Sequence, residues 1–293
     1  MKNSVLVLAA LLAALSFAGR AAAQVSFEVL LDEHQFLAGE SMPIAVRLNN
    51  HSGQTLHFGD ETWVSYSVES RDGFIVGKHG EVPSGHNFDV ESAKMATQRG
   101  DLSPYFTIMR PGAYTVTATL HLKDWGKEIV SEPAKFDIVP GTKIWEQKFG
   151  VPQAAPAVGE PEMRKYTLLK AAYLKHLRLY LRVSDAADTR VIKVVNVGGV
   201  VSFSRPQTLL DKRNNLHLLY EDGARSYNYS VITPDGEVII RQMHRYTDVG
   251  PRLKFDDLNE VVVVGGMRQV TPTDLPEIKR PEVSTNVLPP PHN

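Results

Sequence analysis

The chain has 293 residues, with 32 Lys and Arg against 33 Asp and Glu, a formal net charge of −1, and no cysteine. A balance this even supplies no field to draw in nucleic acid or an anionic membrane, so neither is expected as a partner. The missing cysteine excludes a disulfide scaffold, a thiolate metal site, a cysteine nucleophile and a lipidated N-terminal cysteine.

Residues 1–23 read as a secretory signal peptide. Met1-Lys2-Asn3 is a short basic start, Val5 to Ala18 is an apolar run of 14 residues, and Ala21-Ala22-Ala23 offers small residues at a cleavage site. The run is too short to span a hydrocarbon core comfortably. The mature chain is therefore expected to begin at Gln24 and to be periplasmic or extracellular. No later apolar stretch reaches 18 residues, so no transmembrane segment is expected in it. At roughly 100–200 residues per domain, the remainder suggests two domains.

Residues 24–140 read as short strands. Pro43 to Asn49 alternates Ile44, Val46 and Leu48 against Ala45, Arg47 and Asn49, and Val64 to Glu69 alternates Val64, Tyr66 and Val68 against Ser65, Ser67 and Glu69. A period of two means one buried face and one wet face. Arg71-Asp72-Gly73 supplies a turn. Tyr114 to Leu122 places Tyr114, Val116, Ala118, Leu120 and Leu122 on one face, and Lys123-Asp124-Trp125-Gly126 closes a hairpin. Many short strands with turns between them predict a β-sandwich. Gly77 to Ser103 is polar and poor in strand signals, as functional loops often are.

Arg110-Pro111-Gly112-Ala113-Tyr114, leading into an alternating strand, resembles the start of strand F in immunoglobulin-like domains. Tyr114 there is similar to a tyrosine corner, whose hydroxyl bonds back to nearby backbone. Phe36-Leu37-Ala38-Gly39-Glu40 before the Pro43 strand, and Asn49-Asn50 after it, also resemble bacterial immunoglobulin-like modules. The resemblance covers about 115 residues and implies a fold, with almost nothing about function.

Residues 141–161, rich in Pro, Gly and Ala, read as a linker, although Ile144 to Phe149 is amphipathic enough to pack back on a domain. Residues 162–270 carry a weak repeat. Pro206 to Asp211, followed by Asn215 to Leu219, matches Pro251 to Asp256, followed by Glu260 to Val264, at an offset of 45 residues. The repeat makes Leu210 equivalent to Phe255, and Leu216 to Val261. A period near 45 built of strands resembles β-propeller blades. Roughly 110 residues fall short of the four or more blades of a closed propeller. The unit is therefore an incomplete propeller-like sheet stack or a second sandwich, closed alone or by oligomerising. Glu162 to His176 fits either a helical stripe or a strand. The tail 271–293 is rich in proline and is expected to be extended or disordered.

No motif commits the chain to a reaction: Gly-x-Ser-x-Gly, His-Glu-x-x-His, a Walker loop and Gly-x-Gly-x-x-Gly are all missing. His51 and His57 lie near Asp60 and Glu61, and His79 and His86 near Glu81 and Asp89, but the spacings are those of loops. Neither a metal nor a cofactor is expected, and no residue is assigned as catalytic. Asp60-Glu61, Glu221-Asp222 and Asp256-Asp257 are adjacent carboxylates, which point to opposite faces of a strand. Asp211 and Asp256 recur at one place in the repeat, where a turn-capping Asp fits. Trp125 at a hairpin tip, with Tyr227 and Tyr229 on one strand face, are the candidate binding residues.

The expected protein is all-β, with an immunoglobulin-like sandwich followed by a repeat-bearing antiparallel β domain. Its expected role is an exported, non-catalytic binding or structural module of the bacterial envelope, recognising a protein or polysaccharide. Two other roles stay open. One is a carbohydrate-active hydrolase with Asp211, Glu221, Asp222 and Asp256 sharing a cleft. The other is a protease-inhibitor-like loop on the first domain.

Overall fold

A computed structural model describes residues 25–58, 62–85, 87–152 and 161–276. The expectations for the signal peptide, and for most of the Pro-rich tail, fall outside those residues. The chain is all-β and divides between Gly141 and Thr142 into two units.

In the first unit one antiparallel sheet orders Val25–Leu31, Pro43–Asn50 and Lys94–Asp101. The second is built on the long strand Gly112–Leu122. Val64–Ser70 pairs along one side of it, and Lys127–Val130 and Ala134–Val139 follow each other along the other. Gln35–Leu37 adds in parallel to Ala134–Val139. The alternation does the sorting. Ile44, Val46 and Leu48 from one sheet join Val64, Tyr66, Val68, Val116, Ala118 and Leu120 from the other in one buried cluster. This arrangement is compatible with a β-sandwich.

Gly77 to Ser103 is not the strand-poor loop the sequence suggests, because Lys94–Asp101 pairs residue for residue with Pro43–Asn50. It is an edge strand with half of its residues exposed and none fully buried, so it needs no apolar alternation, and Lys94 and Arg99 suit an edge.

In the second unit the expected linker supplies structure. Thr142–Gly150 is the edge strand of a four-stranded antiparallel sheet with Met163–Tyr173, His176–Asp185 and Val191–Val200. Phe149 fixes it there by stacking on Tyr166, ring centres 4.1 Å apart. The ambiguous segment 162–176 is strand over Met163–Tyr173, with Tyr166, Leu168, Leu169 and Ala171 buried and Met163 and Leu174 exposed. A second sheet runs Gln207–Leu210, Leu216–Gly223, Ser226–Ile232, Val238–Arg245 and Met267–Gln269. A third has two strands, Arg252–Phe255 and Val261–Val264.

These sheets stack as three layers. Leu216, Leu218 and Tyr220 join Tyr166, Leu168, Leu179 and Leu181 of the first sheet. Leu219, Tyr229 and Val231 join Leu253 and Val261 of the third. The strand Leu216–Gly223 is thus covered on both faces, and Leu216 to Tyr220 are all buried. Double cover explains why that stretch, apart from His217, is apolar on both faces rather than alternating.

The two hairpins at the 45-residue offset share register and turn. Leu210 pairs with Leu216 as Phe255 pairs with Val261. In each turn the Asp carboxylate accepts two backbone N–H groups, from Arg213 and Asn215 or from Leu258 and Glu260. In each, an Asn takes the left-handed conformation, Asn214 at φ 58° and Asn259 at φ 59°. Their packing differs: Leu210 lies against the core between the first two sheets, whereas Phe255 is exposed. Part of the tail is also held. Leu275 exchanges backbone hydrogen bonds with Arg241, and the buried Asp274 pairs with Arg268 at 3.2 Å.

Candidate binding surface

The most exposed large apolar side chain among the described residues stands at one end of the first unit. Val64–Ser70 ends in the turn Arg71-Asp72-Gly73, where Gly73 at φ 80° reverses the chain with a conformation that costs a side-chain-bearing residue. Arg71 N–H donates to the Ala113 carbonyl and Asp72 Oδ2 accepts from Ala113 N–H, which ties the turn to the start of Gly112–Leu122. Phe74, Ile75 and Val76 follow outside any strand; Val76 packs against the core, while Phe74 and Ile75 stay exposed.

Phe74, Ile75 and Val76 join Gly73, Thr107, Met109, Arg110 and Tyr114 around a pocket of about 470 Å³. Ile75 is 98% exposed, Phe74 44% and Met109 46%. The Arg110 guanidinium lies 4.7 Å from the centre of the Phe74 ring. The floor is rigid. Tyr114 is buried, stacks on Phe136 with ring centres 5.5 Å apart, and donates its hydroxyl to the Arg110 carbonyl at 2.8 Å. Burial, helped by nearby Asp72 and opposed by Arg110, holds the Tyr114 phenol above its ordinary pKa, so it stays a hydrogen-bond donor. The site has an apolar rim, one cation and no ionised carboxylate among its lining residues. It can take up an apolar side chain and has no group placed for acid–base work.

The sequence-predicted candidates lie elsewhere. Trp125 sits in the 3₁₀ turn Lys123–Trp125 and packs, half-buried, against the core of the first unit. Tyr227 and Tyr229 do share a face, in the layer between the second and third sheets of the second unit. Tyr227 donates to Glu221 Oε1 at 2.5 Å. Tyr229 is buried, its hydroxyl 2.7 Å from His217 Nδ1. The far ring nitrogen of His217 lies 3.4 Å from Asp211 Oδ2. Burial pushes Tyr229 up to about 12 and His217 below its usual value, the latter against the pull of Asp211.

The four carboxylates named as a possible cleft are not brought together. Asp211 precedes the strand Leu216–Gly223, and Glu221 and Asp222 are near its far end. Glu221 lies six residues along the chain from Asn215, a rise of about 20 Å in a strand. Asp256 belongs to the turn beside Asp211, where Lys212 Nζ crosses to Glu260 at 3.1 Å. Of the histidines, His57 pairs with Asp89 at 2.8 Å on the surface and His79 bonds Thr107. Among the described residues no three His, Asp or Glu side chains converge to hold a metal ion. His86, Asp60 and Glu61 lie outside them.

Sequence reasoning singled out neither Phe74, Ile75 nor Met109. A usable signal was present: three consecutive apolar residues after a Gly turn, outside any alternating run, belong to no predicted core. Comparison with protein-family models, with curated proteins and with solved structures finds no match to this chain.

Proposed function

We propose that the protein is an exported, non-catalytic binding module of the bacterial cell envelope. Its contact surface is the Phe74–Ile75–Met109 end of the first unit, and its partner there is a protein segment with apolar side chains. The observation that carries this reading is Ile75, 98% exposed at the rim of an apolar pocket. Contiguous exposed apolar surface costs solvation free energy in the free protein and is typical of interaction sites. A polysaccharide suits the site less well. Sugars favour open aromatic faces with polar groups around them, and the one ring on the rim, Phe74, carries the Arg110 guanidinium near its face.

The fold reading that accompanies this is an immunoglobulin-like first unit and a propeller-type stack in the second. The Tyr114 hydroxyl bonded back to Arg110 supports the former. The three layers and the shared turn at the 45-residue offset support the latter. The basic start, apolar run and small-residue site of residues 1–23 support export.

The test is retention of envelope proteins, and separately of sedimented envelope polysaccharide, by the immobilised mature chain and by Ile75→Asp. The expected result is a protein retained by the first and lost by the second. Retention of polysaccharide alone, unchanged by Ile75→Asp, would refute the reading.

A further inference from the structure

The third sheet of the second unit is half a sheet. Arg252–Phe255 and Val261–Val264 pair only with each other among the described residues, while the first sheet has four strands and the second five. A two-strand ribbon is marginal by itself. Both strands are edges: on Arg252–Phe255 the Leu253 N–H donates to Gln207 Oε1 at 2.9 Å, whereas the other edge is Val261–Val264, four valines with no charge and no proline. Exposed edges are ordinarily protected by such residues.

The register fixes which groups face outward. Asp256 N–H donates to the Glu260 carbonyl at the turn, so the hydrogen-bonded pairs continue as Lys254 with Val262 and Arg252 with Val264. Val261 and Val263 therefore turn their N–H and C=O groups to the open side. The repeat says what belongs there. At the 45-residue offset Val261 and Val263 correspond to Leu216 and Leu218, which pair with Ile232 and Ser230 of the next strand. The third sheet has the acceptor edge for such a strand, and no strand among the described residues occupies it.

We propose that a second copy of this chain supplies it, edge to edge, through antiparallel pairing of Val261–Val264 with itself. The edge is neutral, so two identical copies meet without repulsion. An antiparallel pairing of identical strands is closed by a two-fold axis. Two joined hairpins make a four-stranded sheet, the size of the first sheet. The register that hydrogen-bonds Val261 of one copy to Val263 of the other puts the two Val262 side chains opposite each other on the axis. Arg252 and Lys254 stay on the outer strands, away from the junction.

The experiment is sedimentation equilibrium of the mature chain across a concentration series, with Val262→Glu, Val262→Lys and an equimolar mixture of the two. Val262 lies opposite Lys254 within its own hairpin, so Val262→Glu is expected to fold. The wild-type chain should dimerise. Each variant alone should weaken the dimer by about tenfold or more, because like charges then face each other on the axis. The mixture should restore it. Val263→Pro, which removes an outward N–H that the hairpin itself does not use, should also give a monomer. A wild-type chain that is monomeric throughout would overturn the proposal. So would Val262→Glu dimerising as wild type does, or dimers that form only after residues 277–293 are deleted, which would mean the chain's own tail fills the edge.

Discussion

Two apolar stretches of this chain meet opposite fates. Leu216-His217-Leu218-Leu219-Tyr220 is buried at every position, because its strand is covered by the first sheet on one face and the two-stranded sheet on the other. Phe74-Ile75-Val76 lies beyond the end of a strand, in a turn pinned to Ala113, and its central residue is almost wholly exposed. The composition of the two is similar. Placement decides: the doubly covered strand buries its apolar side chains, whereas Phe74 and Ile75 on the tied-down loop are presented to solvent. Substitutions that separate core from display test this contrast.

The largest effect is expected in the doubly covered strand. Leu218→Ala should cost about 2–5 kcal/mol in denaturant unfolding of the second unit, since both packed neighbours are fixed and the cavity cannot collapse. A loss below about 1 kcal/mol would mean the layers are loosely packed. Next comes the floor of the exposed pocket. Tyr114→Phe should cost about 0.5–1.5 kcal/mol by removing the part-buried hydrogen bond to the Arg110 carbonyl. The same comparison can be made within the repeat. Asp211 also accepts from Asn215 Nδ2 and neighbours the buried His217, whereas Asp256 is exposed and makes only its two backbone contacts. Asp211→Ala should therefore be the more damaging, at about 1–3 kcal/mol against about 0.5–1.5 for Asp256→Ala. Equal losses would show that the turn alone matters.

A smaller, pH-dependent effect should mark the second unit. Burial holds His217 and His244 below the usual histidine pKa, Arg268 adding to the effect at His244 and Asp274 opposing it. In that case the unfolded chain takes up protons first as pH falls below about 6.5. Stability should thus be full well above that pH and fall as the pH drops through it, with a shallower slope in His217→Gln. The lowered carboxylates Asp101, Asp211 and Asp274 act in the same direction but at lower pH, below the ordinary carboxylate value. Unfolding curves measured at half-unit steps separate the two windows. A flat profile down to pH 5.5 would mean both histidines are solvated.

Much of the fold was legible because it follows from period. The alternation of Tyr114 to Leu122 has the inward face the sequence implies, and the 45-residue offset corresponds to one turn used twice, its Asp and left-handed Asn in the same places. What was not legible lacks period. Lys94–Asp101 is an edge strand with polar side chains, and Thr142–Gly150 sits in a stretch bounded by Pro140 and Pro152 that composition marks as a linker. The candidate surface was missed for a related reason. Aromatic residues were weighed first, and Tyr229 proves to be buried against His217, while Ile75 and Met109 carry no motif. Their meaning comes from what does not cover them.

Exposure also predicts the smallest structural effect. Ile75→Asp should change unfolding free energy by no more than about 0.5 kcal/mol, as surface substitutions do. The most direct test of the account keeps that fold and asks what touches position 75. A photoreactive amino acid placed there, with another at exposed position 132 as control, is irradiated in cells that export the protein. One protein adduct is expected from position 75, none of that mass from 132, and loss of the adduct in Phe74→Asp. No adduct from position 75, or the same adducts from both positions, would contradict it.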